Sequence, residues 1–480
     1  MLGKLVTWTA SQVESRAPEK LRPLVTKVFD LADALVSGKG ERARSARMAL
    51  LTFSIRVLSA FLTYGSQVVF ARYMGAFDYG VFVVVWTWVL MLSVLTALGL
   101  PLAVLRLIPQ YTETNEMARL RGALFSTRWI AFGSASLVAG TGVLATVLAP
   151  GLFNDAFILP IVLAAVLLPM MALIEVQDGI GRAYEWPDIA FIPPFIARPV
   201  LVLVTFFAAL ALGFPATAPT AVGAAVVATW IVTFVQFVML EKRLKKTVPA
   251  GPREHRPVEW TLLALPMLAI EGFLFLILNT DVVIAGWFVS PDEVAVYYAA
   301  AKTLALVHFV YFAIRATTAH KIAAHAASGD RVKLESTVHD AVQWTFWPSL
   351  VLGLTLLAFS GFILSIFGEG FESGSGFLAV LMVGVLIRAS IGPAEAFLTM
   401  NGAQNQAALV YAVVFATNFG LNLALLPFLG LMGAAIATAV AMLVETVLLA
   451  TVVYRRTGII CFVVHPRHRA PLAASPEPAE

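Results

Sequence analysis

Ala71-Arg72-Tyr73-Met74-Gly75-Ala76-Phe77-Asp78-Tyr79-Gly80 is the turn from which the organisation of this chain can be read. Before it, residues 49–72 are apolar except for Arg56 near their middle, and after it the apolar run resumes and continues to Ile108. Each flank suffices to cross a hydrocarbon core of about 30 Å, which takes about 20 apolar residues. So short a polar interruption leaves no room for an extramembrane domain. The stretch from Met48 to Pro109 therefore reads as two membrane-spanning helices joined by a tight turn. An arginine in mid-span costs roughly 2.5–3.5 kcal/mol on insertion scales, so Arg56 is expected to face a cavity or a partner rather than lipid.

The rest of the chain has the same character. Of 480 residues, 59% are hydrophobic and 13% charged, whereas soluble domains carry about 25% charge, and the mean hydropathy is +0.85. A soluble protein is excluded. Lipid offers no partners to backbone groups, so the apolar runs must be helices, and the alternation of a membrane β-barrel is absent. One cysteine, Cys461, excludes an internal disulfide and a cysteine-based metal cage. The seven histidines show no metal-ligand spacing. No metal, cofactor, nucleic-acid partner or enzymatic activity is expected.

The runs give twelve spans, at 49–72, 80–108, 123–148, 156–177, 189–212, 218–240, 261–288, 294–317, 341–366, 376–400, 406–428 and 431–454. A basic connection at 241–260, with Lys242, Arg243, Lys245, Lys246, Arg253 and Arg256, separates a bundle at 48–240 from one at 261–456. The expected fold is all-α and integral to the membrane, with two six-helix bundles. Basic residues gather on one side: the N-terminus, Arg119, Arg121, Arg182, the central connection, Lys321, Arg331, Lys333, Arg455, Arg456, Arg467 and Arg469. Asp78, Asp155, Asp292, Glu293, Glu369 and Glu372 lie on the other, with Arg72 as its one basic residue. The positive-inside rule then puts both termini in the cytoplasm. Residues 1–47 form an extension with nine Lys/Arg and five Asp/Glu, whose Leu24, Val28, Leu31 and Leu35 recur at helical spacing. It is either a helix lying on the membrane or a solvated extension, and no cleavable signal peptide is read in it. Residues 457–480 form a second cytoplasmic tail.

The halves resemble each other. SLVAG (136–140) matches SLVLG (349–353), Asp78 matches Asp292, and VGAAV (222–226) matches MGAAI (432–436), at offsets of 210 to 214. With six spans per copy the repeats are parallel, about an axis along the membrane normal. Transporters built from repeats place the substrate between the halves and rock them around it.

Arg56, Arg198, Lys302 and Arg388 fall near span centres, with Glu271, Glu445 and, further out, Asp281. Four bases against three acids imply a water-filled cavity of positive character that receives phosphates, pyrophosphates or acidic sugars. Arginine suits phosphate because its planar fork donates two bonds together. The competing reading makes them structural pairs, and it fits Glu445, on the last helix, best. Arg106 and Arg128 lie near span ends, where they can snorkel. Glu271 and Asp281, with Asn279 between them, either exchange a proton or cation during rocking or serve as counter-ions, Glu271 for Arg56.

The turn at 71–80 and the following GLPLAVLR (99–106) resemble the opening of polysaccharide-biosynthesis flippases of the multidrug/oligosaccharidyl-lipid/polysaccharide exporter superfamily. LNTDVVIAG (278–286), VAVYY (294–298) and LGLMGAAIA (429–437) are similar to that family's second half. The resemblance covers 48–456 and implies a V of two bundles in a bacterial inner membrane. It implies transfer of a polyprenyl-pyrophosphate-linked oligosaccharide from the cytoplasmic to the periplasmic leaflet, for O-antigen, exopolysaccharide or capsule. Membrane lipids, a polysaccharide polymerase and glycosyltransferases are the implied neighbours, and proton or sodium coupling remains open. Arg56, Arg198, Lys302 and Arg388 fit the family's cationic cavity by depth. Two other readings stand beside it: a cation-coupled multidrug exporter, which needs acids to dominate the cavity, and a polytopic glycan polymerase, which needs a large outer loop.

Overall fold

The computed structural model describes residues 41–149, 151, 154–328, 330–400 and 402–464. The predicted amphipathic stretch at 21–36 and the end of the C-terminal tail lie outside these residues, as does the side chain of Glu271. The helices are α1 (Glu41–Thr96), α2 (Leu100–Glu113), α3 (Met117–Leu148), α4 (Asp155–Ala183), α5 (Pro187–Ala211) and α6 (Ala218–Thr247) in the first half. The second half holds α7 (Pro257–Ile277), α8 (Thr280–Phe288), α9 (Pro291–Ser328), α10 (Arg331–Ala358), α11 (Ser360–Ser365), α12 (Ser375–Ala389), α13 (Ala394–Met400), α14 (Gln404–Leu429) and α15 (Leu431–Thr457).

Ten described segments are long and apolar enough to cross a membrane, the first being Ser54–Glu113. That segment crosses twice. Gly75, at φ 75° and ψ 171°, interrupts α1 with a conformation that glycine reaches without steric cost. The Tyr79 hydroxyl then donates to Gln67 Oε1 at 3.1 Å, and the rings of Phe70 and Phe82 lie 4.9 Å apart. Residues twelve apart would be separated by about 18 Å in a straight helix, so the arms fold back on each other. With the 21-residue α7, long enough at about 31 Å, the spans number twelve. Asp78 at the hairpin tip accepts the backbone N–H of Ala218 at 2.8 Å and so fixes the start of α6.

Several spans are broken, each at a residue that cannot continue the helix. Leu98 and Gly99 take positive φ between α1 and α2. Pro193 and Pro194 bring no N–H to the ladder, and residues 193–197 form a π-turn closed by Arg198 N–H on the Pro193 carbonyl. Leu278 and Asn279 separate α7 from α8, and Gly392, at φ 57°, with Pro393 separates α12 from α13. The predicted ninth span, 341–366, differs most: α10 begins at Arg331 and ends at Ala358, with α11 following as a separate turn.

The halves meet tightly at the end that carries the hairpin tip. A Cβ on Gly80 would lie 1.8 Å from the carbonyl oxygen of Pro291, and one on Gly286 would press on Val84. Tyr64 Oη and Thr303 Oγ1 are 3.1 Å apart, Tyr64 sits edge-on to Phe367, and Tyr79 packs near Tyr298 and Phe371. Arg72 donates to the carbonyls of Ile366 and Ser365, at 2.6 and 3.2 Å. Of these contacts Tyr64–Thr303 lies farthest from the hairpin tip and forms the floor of this closed end.

At the opposite end the basic connection is strapped to the first half. Arg121 donates to the carbonyls of Pro249 and Pro252, Arg119 reaches Glu254 at 3.4 Å, and the Trp260 indole donates to Tyr111 Oη at 3.0 Å. Trp260 and Ala264 are fully buried within the first half's core, so α7 starts there although the sequence reading opens the second bundle at 261. The C-terminal segment also docks: Val463 N–H donates to the Ser390 carbonyl, and Cys461 is buried.

Two outcomes test this arrangement. Cysteines at Tyr64→Cys and Thr303→Cys should be joined by a short bifunctional thiol reagent, read as a gel shift after cleavage in the central connection. No cross-link would mean that α1 and α9 do not meet there. The second concerns the strap. Hydrogen bonding to Arg256, assisted by its charge and by Arg119, holds the Glu254 carboxyl below its ordinary range. A depressed folded-state value stabilises the docked strap above the ordinary carboxylate range and loses that contribution as pH falls through the depressed value. Backbone hydrogen exchange across residues 249–256, compared with the intrinsic rate at each pH, should accelerate in that acid window, and Glu254→Gln should show the faster exchange at neutral pH.

Candidate functional site

Two groups of charges lie inside the bundles, one per half. In the first, the Arg56 guanidinium stacks over the ring of Phe195 at 3.9 Å and lies 5.8 Å from that of Phe191. Such contacts are worth about 0.5–2 kcal/mol and leave the charge in place. The side chain is exposed. Arg198, delivered by the π-turn, places Nη1 3.0 Å from the Met171 sulfur of α4. Glu175 lies one turn further along α4 than Met171. Neither arginine forms an ion pair with a described carboxylate. Below them on α4, Arg182 Nη2 pairs with Asp178 at 3.0 Å.

The second half solves the same problem by pairing. Arg388 on α12 donates Nε to Glu445 at 2.8 Å and Nη2 to Glu395 at 3.3 Å, and its guanidinium stacks over Tyr311 at 4.5 Å. Glu395 also accepts from Tyr411 Oη and pairs with Arg315 Nη1 at 2.7 Å. Both acids are buried, whereas the Arg315 side chain is 45% exposed. The break at Pro393 makes this possible, because it turns the start of α13 so that Glu395 reaches back to α12.

The remaining expected site residues are placed as follows. Lys302 lies beside the floor residue Thr303, with Nζ 4.6 Å from the Tyr298 ring. Asp281 is buried at the start of α8, accepting from Tyr297 Oη at 2.5 Å and from the Val282 N–H. Asn279 is buried at the break and donates to the Phe275 carbonyl. Arg56 and Arg198 are thus brought together at the π-turn, Arg388 belongs to the acid cluster, and Lys302 stands apart beside Thr303. Arg128 does not snorkel: it is buried, 2.6 Å from Glu241 and stacked near Phe237.

The sequence reading counts three acids and passes over Glu175, Asp178 and Glu395, so its charge balance is corrected here. The first two sit where span four seems to end at 177, though α4 runs to Ala183. Glu395 follows Arg388 by seven residues, two helical turns, which was the available signal. The internal repeat offers another. At the offset of 213 that relates Ser136 to Ser349, Glu175 corresponds to Arg388, Arg182 to Glu395, and Arg198 to Tyr411. One pair of charges, seven residues apart, thus recurs at equivalent places with its signs exchanged.

The fold is found in solved membrane transporters. An inward-facing multidrug resistance MATE transporter of the MOP superfamily matches with a TM-score of 0.68 at 14% identity, over 86% of this chain and 98% of that one. The lipid II flippase MurJ in an inward closed conformation matches with a TM-score of 0.63 at 14% identity, over 84% and 87%. A MOP superfamily transporter from Pyrococcus furiosus, described as having a binding pocket of reversed polarity, gives 0.55 at 16% identity, over 89% and 98%. The architecture is therefore the fold these solved transporters share. The family model for polysaccharide biosynthesis proteins matches residues 45–319, more than half of the chain, and the chain belongs to that family. No curated protein matches it by sequence.

Substitution separates the two groups. Arg388→Ala leaves two buried carboxylates without their shared cation, a change that costs about 3–5 kcal/mol, and should strongly reduce the amount of folded protein in membranes. Arg56→Ala removes a cation held by rings alone and should leave abundance and melting temperature near wild type. Immunoblots of membranes and thermal aggregation in detergent read both. Equal losses would merge the groups into one structural role.

Proposed function

We propose that this protein flips a polyprenyl-pyrophosphate-linked oligosaccharide from the cytoplasmic to the periplasmic leaflet of a bacterial inner membrane, supplying surface polysaccharide synthesis. The observation that carries this reading is the pair Arg56 and Arg198, set on rings and a thioether with no described carboxylate paired to either. A guanidinium kept unneutralised at membrane depth is costly and marks a site for an anion. Membership of the polysaccharide biosynthesis family supplies the context for a glycan carrier. The proposed orientation has both termini in the cytoplasm, so the sealed hairpin end faces the periplasm and the site opens inward. Transport then requires the Tyr64–Thr303 floor to part while the opposite end closes. The work is binding and movement, with no bond made or broken.

A drug-exporter reading needs acids free to hold an organic cation. Here Glu395 and Glu445 are held by arginines and Asp281 by a tyrosine hydroxyl.

The test is the sidedness of the lipid-linked glycan. Cells lacking the protein should accumulate a complete polyprenyl-linked glycan accessible only from the cytoplasmic face of spheroplast membranes. The Arg56→Ala/Arg198→Ala variant should insert normally and reproduce that accumulation. Normal glycan export by this variant would refute the assignment of the site, and a normal lipid profile in the null strain would refute the function.

A further inference from the structure

We propose that the C-terminal segment of this chain is a docking surface for anionic phospholipid headgroups, and that its docking braces the break between α12 and α13. The proposal is independent of the cargo and gives the protein a further partner, the charged face of the membrane it crosses. α15 ends at Thr457, and Gly458, at φ 69°, turns the chain back. The segment then stays with the second half. A Cβ on Gly458 would lie 2.9 Å from Arg331 Nη2, at the start of α10, and the Val463 carbonyl accepts from Gln343 Nε2 of the same helix at 2.7 Å. Arg331 and Gln343 are separated by about 18 Å of helix, and the run from Gly458 to Val463 reaches about 17 Å when extended. The segment therefore runs nearly extended along α10. Its far end lies at the level of Trp344 and Trp347, both exposed, and the Trp347 indole donates to Gln343 Oε1 at 2.7 Å. Exposed tryptophans at the end of a span mark the headgroup level.

The two faces of the segment differ. Ile459 and Cys461 are buried in the core formed with Val338, Val342, Ile391 and Phe397, whereas Ile460, Phe462 and Val464 are exposed, Val464 by 77%. That alternation is the period of an extended chain with one side covered. Exposed bases stand around its start: Arg331, Arg455 and Arg456. Of the nearby acids, Asp330 pairs with Lys333, while Glu335 and Asp340 lie on α10. Val464 is the last described residue, and His465-Pro466-Arg467-His468-Arg469 follows it, with no acid before Glu477. The fold thus brings apolar side chains and the start of a basic tract to the headgroup level. Apolar residues beside arginines are what an anionic lipid surface holds.

Docking reaches the charge cluster through the backbone. The end of a helix leaves carbonyls without partners in the ladder, and α12 ends inside the protein, just before Gly392 and Pro393. The Val463 N–H donates to the Ser390 carbonyl at 3.0 Å and so caps that end. Cys461 lines a small cavity with Ile391, Pro393 and Phe397, so the segment packs under the break as well as bonding to it. Arg388 stands on one side of the break and Glu395 on the other, bonded across it. Headgroups that hold the chain beyond Val464 keep Val463 in place, and with it the direction in which α13 leaves the break.

The full-length protein in nanodiscs of phosphatidylcholine, with or without phosphatidylglycerol, tests this. Cys461→Ala removes the one cysteine, and Val464→Cys then carries an environment-sensitive fluorophore. Acrylamide, an uncharged quencher, should quench the label severalfold less in the anionic discs. Arg467→Gln/Arg469→Gln should abolish most of that protection, because each arginine near an anionic surface strengthens docking about fivefold. Backbone hydrogen exchange across residues 390–396 of the unlabelled protein should slow when phosphatidylglycerol is present, and this slowing should vanish in the double arginine variant. Inorganic phosphate added to phosphatidylcholine discs should change neither readout. Equal quenching in the two lipids, or protection by free phosphate, would overturn headgroup docking. Protection of the label with unchanged exchange would overturn the brace. If the labelled variant does not accumulate, the exchange measurement on the wild type and the double arginine variant decides alone, and no lipid dependence there would overturn the proposal. None of these outcomes touches the glycan reading, which rests on sidedness.

Discussion

A charge in a bilayer must be solvated by something other than lipid, and the interior of this protein is arranged around that requirement. Three solutions coexist. Arg388 is solvated by two buried carboxylates and a tyrosine ring. Arg128 has one acid and one ring. Arg56 has rings and no described carboxylate in ion-pair contact. These solutions differ in what they leave unsatisfied. A guanidinium inside a carboxylate cluster offers little to a ligand, whereas one resting on phenyl faces keeps its donors free. Depth in the membrane alone does not distinguish Arg56 from Arg388, because both fall near the centres of their spans.

That difference sets the limit of what the sequence discloses. The spans and the tight turn at 71–80 follow from run lengths and from the cost of an unpaired backbone in lipid, and the structure carries both. Span interiors are another matter. Glu175 and Asp178 look interfacial until α4 is seen to continue through them, and Glu395 is detached from Arg388 by the break at Pro393. Proline announces a break without giving its direction, and the direction decides which acid meets which base. The placement of Trp260 in the first half's core was equally unreadable, since a tryptophan near a span end also serves as an interface anchor.

The internal repeat gives these groups a common origin in the chain's own pattern. Glu175 and Arg182 stand where Arg388 and Glu395 stand in the other half, so a seven-residue charged pair occupies the same place twice with its polarity reversed. In the second half the pair is closed by additional partners, Glu445, Arg315 and Tyr411. In the first half, Arg198 occupies the position equivalent to Tyr411 and carries a charge where a hydroxyl stands opposite. The repeat thus carries two similar cradles, one neutral and the other positive. Such divergence lets a pseudo-symmetric scaffold bind a ligand that has no symmetry.

The docking of the central connection has a mechanical consequence. Because Arg119, Arg121 and Trp260 fix it to the first half, the chain passing between the bundles is not a slack tether. The inner part of α7 travels with the first half, while Ile277 belongs to the core of the second. Relative rotation of the bundles must then be taken up as bending within α7 between Ala264 and Ile277, the stretch that contains Pro266. The protein thus works as a jointed lever, and its fulcrum is a proline-bearing turn of a single helix shared by both halves.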